Sequence, residues 1–281
     1  MAAVRSRRAA LKPRTRKAPP PKPAAASYLY AVVASAAEPR AAGAPEGPPG
    51  MGPLRWLSVG TGLWLAAADA PLPRYGSSAI EKGLKDLDWV SACALAHERV
   101  VEHVSALGSA IPMKLFTLFS SDERAVAELG RAKARLRAVL RRIEGRQEWG
   151  VRVSVDEATA RTRARERAQQ AAGGLSAGAG FLTRKRQEHK EVRDIVDLGR
   201  TAADEVFQAV ARHSDESQRR PPLAAEPGLR LLLDAAFLVP TRRVAAFRES
   251  VRRQAERLAP HGYRVVLTGP WPAYNFVAAA R

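Results

Sequence analysis

The sequence offers almost nothing for covalent cross-linking or membrane insertion. Its 281 residues include one cysteine, Cys93, so no disulfide can form within the chain. The longest apolar stretch, Trp56–Ala68, is interrupted by glycines and is far shorter than the roughly 20 residues that span a bilayer. These absences argue against a disulfide-stabilised secreted scaffold and against a membrane span. We therefore expect a cytoplasmic protein.

Acidic and aromatic residues are also scarce. Asp and Glu number 28 against 46 Lys and Arg, which gives a formal net charge of +18, and aromatic residues make up 6% of the chain. A charge of this sign attracts polyanions, so a basic nucleic-acid-binding protein is the alternative function that we carry forward. However, the arginine-rich segments have few interleaved aromatic residues on which bases could stack. Nonspecific attraction to DNA is expected from the charge alone and discriminates little between functions.

The positive charge is dense in a proline-rich segment at the N-terminus. Residues 1–26 contain eight basic residues and no acidic residue. Ser6-Arg7-Arg8 resembles part of a twin-arginine export signal, but Pro13-Arg14-Thr15-Arg16-Lys17 stands where such a signal needs an apolar region. A segment of this composition buries too little apolar area to offset its ordering entropy. We expect residues 1–26 to form a disordered tail that can contact polyanions nonspecifically.

Patterns of metal-binding and catalytic residues are incomplete. His97-Glu98 starts like a zinc-protease helix, but Val101 occupies the position of the second ligand one turn later. His103 would lie about 240° further around the helix and cannot share the site. Cys93 has no adjacent basic residue to lower the pKa of its thiol, which favours a structural role.

Glycine-rich loops that could cradle phosphates are incomplete as well. Gly60-Thr61-Gly62 lacks the third glycine of a dinucleotide-binding fingerprint. Gly173–Gly180 follows a predicted helix rather than a strand and lacks the Gly-Lys-Ser/Thr step of a phosphate loop. We therefore predict no catalytic residue, no metal site and no cofactor, and hence no enzymatic activity.

The hydrophobic pattern predicts a first α+β domain over residues 27–145. Between Glu38 and Pro53 the chain is too rich in proline and glycine for regular structure. Ser120-Ser121-Asp122-Glu123 offers a capping box that would open a helix. The predicted elements are a strand at Tyr28–Val33, a hairpin of Leu54–Val59 and Leu63–Ala67, helices at Ser77–Leu87 and Ser91–Leu107, a strand at Ile111–Phe119, and one long helix carrying Val126 to Ile143.

A second α+β domain is predicted over residues 146–281. Because this half lacks a run of parallel βαβ units, helices packed on an antiparallel sheet are favoured. The predicted elements are an alternating strand at Trp149–Val155, helices at Asp156–Ala172 and Phe181–Arg212, a strand at Leu229–Val239, a helix capped by Thr241 that carries Val244 to Leu258, and a last strand at Tyr263–Leu267.

The most specific segment is Leu267-Thr268-Gly269-Pro270-Trp271-Pro272-Ala273-Tyr274-Asn275-Phe276. Two prolines fix φ on both sides of Trp271 and favour extended geometry. This segment resembles the C-terminal signature of the gas vesicle accessory proteins of the GvpF/GvpL family. The resemblance covers about Tyr28–Val277, and its other matching motifs are Tyr28-Leu29-Tyr30, Tyr75-Gly76, Trp89-Val90, His97-Glu98, Glu148-Trp149-Gly150-Val151-Arg152-Val153 and Gly180-Phe181-Leu182-Thr183-Arg184-Lys185.

The resemblance implies a non-enzymatic cytoplasmic protein required for gas vesicle assembly. Its implied partners are the small hydrophobic shell protein and other accessory proteins. It also implies two α+β domains, of which the second is ferredoxin-like with an inserted helical segment. We identify Trp271, Tyr274 and Phe276 as candidate partner-binding residues, with core packing of Trp271 and Phe276 as the competing interpretation.

The chain departs from the family pattern at one turn. The family usually has a basic-aromatic-glycine turn after the proline of the third core segment, whereas this chain reads Pro112-Met113-Lys114-Leu115-Phe116-Thr117. Without the glycine, any tight backbone geometry at this turn must be made by another residue.

Overall fold

The computed structural model describes residues 25–156, 158, 159, 162, 197–221 and 228–277. The predicted tail before Ala25, the Gly173–Gly180 loop and most of the predicted helices between residues 157 and 196 lie outside the described residues. None of the described helices is both long and apolar enough to cross a membrane.

The described residues form antiparallel strands and α-helices. The strands are β1 (Ala25–Ala34), β2 (Arg55–Gly60), β3 (Leu63–Pro71), β4 (Ala110–Pro112), β5 (Leu118–Phe119), β6 (Arg146–Asp156), β7 (Glu216–Arg219), β8 (Leu229–Pro240) and β9 (Tyr263–Trp271). The helices are α1 (Leu72–Tyr75), α2 (Ser77–Gly83), α3 (Leu87–Ala106), α4 (Asp122–Arg131), α5 (Lys133–Ile143), α6 (197–211) and α7 (Val244–Leu258).

The strands make two antiparallel sheets. The first has the order β2-β3-β1-β4, and β5 pairs with another part of β1. The second has the order β7-β8-β6-β9. The polar sequence of β7, Glu216-Ser217-Gln218-Arg219, gave no strand signal, because this short edge strand acquires its structure by pairing with the apolar strand β8. The α+β class with antiparallel sheets is confirmed.

The helices and sheets stack in five alternating layers. α3 covers one face of the first sheet with Cys93, Val100 and Val104. α4 and α5 lie between the sheets, because their apolar side chains cluster with Leu29 of β1 and with Leu238 of β8. α6 and α7 cover the far face of the second sheet. A single apolar cluster therefore connects the two halves of the chain.

The long helix predicted to carry Val126 to Ile143 is interrupted. α4 ends at Arg131 and α5 begins at Lys133. Ala132 lies between them, and its φ of −94° and ψ of 5° are not helical. Ser121 caps α4 by accepting a hydrogen bond from the Arg124 backbone N–H at 3.4 Å. The helix thus starts one residue later than the capping-box pattern requires, and Arg124 occupies the position where Glu123 was expected.

The prediction of one continuous strand over Ile111–Phe119 is wrong for residues 113–117, which form a turn. The chain forms β4, turns through residues 113–117, and returns to β1 as β5. Phe116 makes the turn possible by adopting a φ of 60°, the left-handed conformation that glycine adopts at no steric cost.

A buried hydrogen-bonded chain holds this turn against β1 and α3. The Phe116 backbone N–H donates to the Tyr28 hydroxyl oxygen at 3.3 Å, and the Tyr28 hydroxyl lies 2.8 Å from His97 Nδ1. His97 Nε2 lies 3.1 Å from the carbonyl oxygen of Met113. Because that carbonyl only accepts, Nε2 carries the proton and Nδ1 accepts from Tyr28. Burial lowers the pKa of His97 to about 4, although the bond to Met113 opposes this shift.

Replacing Phe116 tests the backbone strain at the turn. Phe116→Ala and Phe116→Gly both remove the ring that stacks on Trp89 with centroids 5.3 Å apart. Only the glycine variant also removes the left-handed backbone strain. In urea titrations we therefore expect the free energy of unfolding of Phe116→Gly to be about 1 kcal/mol higher than that of Phe116→Ala. Equal or lower stability of the glycine variant would show that the turn is unstrained.

The neutral state of His97 predicts a pH dependence of stability. Because the folded-state pKa of about 4 lies below the ordinary value of 6.5, folding opposes protonation. The stability that the fold gains from neutral His97 is fully present above pH 6.5 and is lost as pH falls from 6.5 toward 4. We expect the free energy of unfolding to drop by about 2 kcal/mol more in wild type than in His97→Gln between about pH 7.5 and pH 5. Parallel pH profiles for the two proteins would contradict this account.

Candidate functional site

The C-terminal signature forms the end of β9 and the loop that follows it. The peptide bond between Gly269 and Pro270 is cis, and the loop of residues 272–277 crosses from the second sheet to the layer of α4 and α5. Gly269 has a φ of 112°, and a side chain there would approach the carbonyl oxygen of Glu148 at 3.0 Å. Glycine is therefore required at this position by both conformation and space.

A buried carboxylate of β6 holds the loop. Glu148 is only 2% exposed, and its Oε2 accepts from the Asn275 backbone N–H at 2.9 Å. Its Oε1 accepts from the side-chain amide of the same asparagine. The carbonyl oxygen of Asn275 accepts from Gln218 Nε2 at 2.6 Å, which adds a contact from β7. Burial raises the pKa of Glu148, and the hydrogen bonds from Asn275 partly oppose that rise.

A second carboxylate, from α3, meets the same loop. The Tyr274 hydroxyl donates to Glu98 Oε2 at 2.8 Å, so the C-terminal loop is tied to both halves of the chain. Burial raises the pKa of Glu98, and the bond from Tyr274 opposes that rise. Glu98 and Glu148 were noticed in the sequence only as members of longer motifs. The local pattern does not single them out, because α3 and β6 carry other charged residues such as Arg99 and Arg152 that are not buried.

The structure places the three predicted partner-binding aromatic residues in different environments. Trp271 is 41% exposed, and its indole N–H donates to Thr268 Oγ1 at 3.1 Å. Tyr274 is half-buried beside Glu98, whereas Phe276 is 4% exposed and packs with α5 and β8. The three side chains therefore do not share one exposed face. Their role in partner binding stays a prediction, and Trp271 has the most exposed surface to contribute.

A cleft opens beside Trp271, between the end of α3, the start of β6 and the loop. Its volume is about 740 Å³, and we refer to it as the Trp271 cleft. Its floor and rim combine apolar groups with three carboxylates. The defining residues are Glu102, Ser105, Glu144, Arg146, Glu148 and Trp271.

The outer edge of β9 is the other surface near the signature. On the described residues, β9 pairs with β6 alone, and residues 264–271 present their second edge away from the sheet. Val265 and Leu267 are half-buried, and together with α7 they line a shallow groove of about 530 Å³. An unpaired edge beside an apolar groove is suited to adding a strand or docking a helix.

Comparison with known proteins extends the likeness to almost the whole described chain. Residues 26–278 match the family described as gas vesicle synthesis protein GvpL/GvpF. Gas vesicle protein L of Streptomyces sp. (strain CB03234) is 30% identical over 263 residues, which cover 90% of this chain and 93% of that protein.

Two crystal structures share the fold at low sequence identity. The gas vesicle protein GvpF of Anabaena sp. PCC7120 has a TM-score of 0.63 with 16% identity, and it covers 90% of this chain and 98% of its own. GvpF of Microcystis aeruginosa has a TM-score of 0.61, also with 16% identity and the same coverage. At this identity the two structures establish the fold alone. The family match and the Streptomyces relative carry the assignment: this chain is a gas vesicle accessory protein of the GvpF/GvpL family.

Proposed function

We propose that the chain is a non-enzymatic, cytoplasmic protein required for gas vesicle assembly. In this proposal it binds the hydrophobic shell protein and other accessory proteins. The family membership supports a role in gas vesicle assembly, and one structural observation supports action by binding a partner protein. Trp271 stays exposed while residues 274–276 beside it are held by buried hydrogen bonds and core packing, so the indole is presented at a fixed place without an unfolded segment.

Partner binding would use surface that the fold leaves available. The exposed indole of Trp271 offers an apolar contact, and the outer edge of β9 offers backbone hydrogen bonds to an added strand. Both features meet at the end of β9. A shell subunit held there would have apolar surface covered before it enters the shell, which is the physical requirement for handling a hydrophobic protein in water.

The polar groups near the signature support a structural use rather than chemistry. Both carboxylate oxygens of Glu148 accept hydrogen bonds from Asn275, and both ring nitrogens of His97 have partners within the fold. A catalytic acid or base has to exchange its proton with a substrate. Groups committed to internal hydrogen bonds in this way hold the loop and the turn in place.

The arrangement into domains is part of the proposal. We assign residues 27–145 to an N-terminal α+β domain and 146–281 to a ferredoxin-like α+β domain. The second sheet supports this assignment, since its antiparallel order β9-β6-β8-β7 places the first and third strands of that half in the middle. The proposed helical insertion falls between β6 and α6, mostly outside the described residues.

Two aromatic variants separate surface contact from core packing. Trp271→Ala removes an exposed side chain, and we expect a loss of less than about 1 kcal/mol in the free energy of unfolding. Phe276→Ala empties a buried position between α5 and β8, and we expect a loss of about 3–5 kcal/mol. Thermal and urea unfolding of both variants measure this difference. A large destabilisation by Trp271→Ala would assign that residue to the core and remove the basis for a contact role.

Binding of the shell protein is the direct test of the proposed function. The tagged chain is purified from a vesicle-forming cell after washing at about 0.5 M salt, where surface charge is strongly screened. We expect the shell protein to remain bound to wild type and to be lost from Trp271→Ala. Leu87→Ala is the matched control, because Leu87 is 78% exposed and lies on α3, away from β9.

The same purification distinguishes the alternative function. Recovery of nucleic acid at low salt only would reflect the +18 charge. Retention of nucleic acid at high salt without shell protein would favour the nucleic-acid-binding alternative. Normal flotation of a vesicle-forming strain that lacks this gene and its paralogues would refute a required role in assembly.

A further inference from the structure

The Trp271 cleft has the opposite charge to the rest of the chain. Glu102, Glu144 and Glu148 line it, against a single cation, Arg146. The charge of Arg146 is already engaged, because its Nε lies 2.8 Å from Asp215 Oδ2. Within the described residues, neither Glu102 nor Glu144 belongs to an ion pair, and both side chains are exposed. The cleft therefore presents uncompensated negative charge in a chain whose net charge is +18.

The chemistry of the lining indicates a basic and proline-containing occupant. Carboxylates at the rim bind guanidinium and ammonium groups, while an exposed indole packs against proline rings or against the stem of arginine.

The chain itself carries a segment of this chemistry. Residues 1–24 precede β1 and contain eight basic residues, five prolines and no acid. We propose that the arginine-rich part of this segment, Arg5–Arg16, docks in the Trp271 cleft of the same molecule. The contact concerns two parts of one chain and is tested without a partner, and a docked segment would compete with a partner for the exposed indole of Trp271.

The lengths involved allow this contact. Ala110 lines the cleft and is paired with Val33, eight residues along β1 from Ala25, which corresponds to about 27 Å of strand. An extended segment advances about 3.1 Å per residue, so Arg16 and every basic residue before it can reach the cleft from Ala25. A tethered segment has an effective concentration in the millimolar range, at which half occupancy needs about 4 kcal/mol. Exposed ion pairs contribute at most about 1 kcal/mol each, so occupancy needs them together with packing on the Trp271 indole.

Charge reversal in the full chain tests the contact through trypsin cleavage after Arg14 and Arg16. Glu102→Lys/Glu144→Lys should speed this cleavage about fivefold at about 0.05 M salt, because the docked segment is released. Glu81→Lys/Glu128→Lys changes the net charge equally at exposed positions outside the cleft and should leave the rate unchanged. Wild type at about 0.5 M salt should be cleaved as fast as the cleft variant. Equal rates in all three proteins at low salt would overturn the proposal.

Zero-length cross-linking identifies the partner of the cleft. Carbodiimide treatment of the full chain should join Lys12 to Glu102 or Glu144, and mass spectrometry of an equal mixture of light and ¹⁵N-labelled chains should find the link within single chains. A link between light and heavy chains would show that the cleft binds a second copy, and so contradict docking within one molecule. Absence of any link to Lys12, with linkage of other lysines as the reaction control, would also contradict it.

Discussion

The hydrogen bonds between Glu148 and Asn275 are the interaction on which the candidate site depends. They connect the central strand β6 to a loop that has no regular structure of its own, and they satisfy a carboxylate that is only 2% exposed. Removing the donors would leave a buried charge without partners, which costs far more than the net value of one hydrogen bond. The loop is therefore fixed in place, and Trp271 keeps its position at the rim of the cleft.

The layer of α4 and α5 imposes a second constraint, because it is shared by both sheets. Leu136, Val139 and Ile143 of α5 belong to the same apolar cluster as Leu29 of the first sheet and Leu238 of the second. A domain boundary at residue 145 therefore separates the strands of the two sheets along the sequence, but it does not separate two hydrophobic cores, because this cluster contains residues from both halves. The bond from Tyr274 to Glu98 crosses between the two halves in the same way. Surfaces at this junction, including the Trp271 cleft, depend on both halves folding together.

Sequence reasoning found the elements whose signal is local. The alternation around Val151 and Val153 predicts β6, and the apolar run from Leu229 predicts β8, because burial on a sheet imposes a period of two or a continuous apolar run. It could not find β7, whose four polar residues form a strand only because β8 is beside them. The family signature led to Trp271, but pattern alone could not separate its exposure from the burial of Phe276, five residues later.

The turn at Phe116 shows how the fold absorbs a residue that its backbone disfavours. A left-handed conformation costs a residue other than glycine about 1–2 kcal/mol. In this chain the side chain at that position stacks on Trp89 with an interplanar angle of 11°, and such ring pairs contribute about 0.5–1.5 kcal/mol. The backbone N–H also gains the hydroxyl of Tyr28 as an acceptor, worth about 0.5–1.5 kcal/mol. The two gains together are about the size of the strain, so aromatic packing and one hydrogen bond offset the left-handed backbone of Phe116.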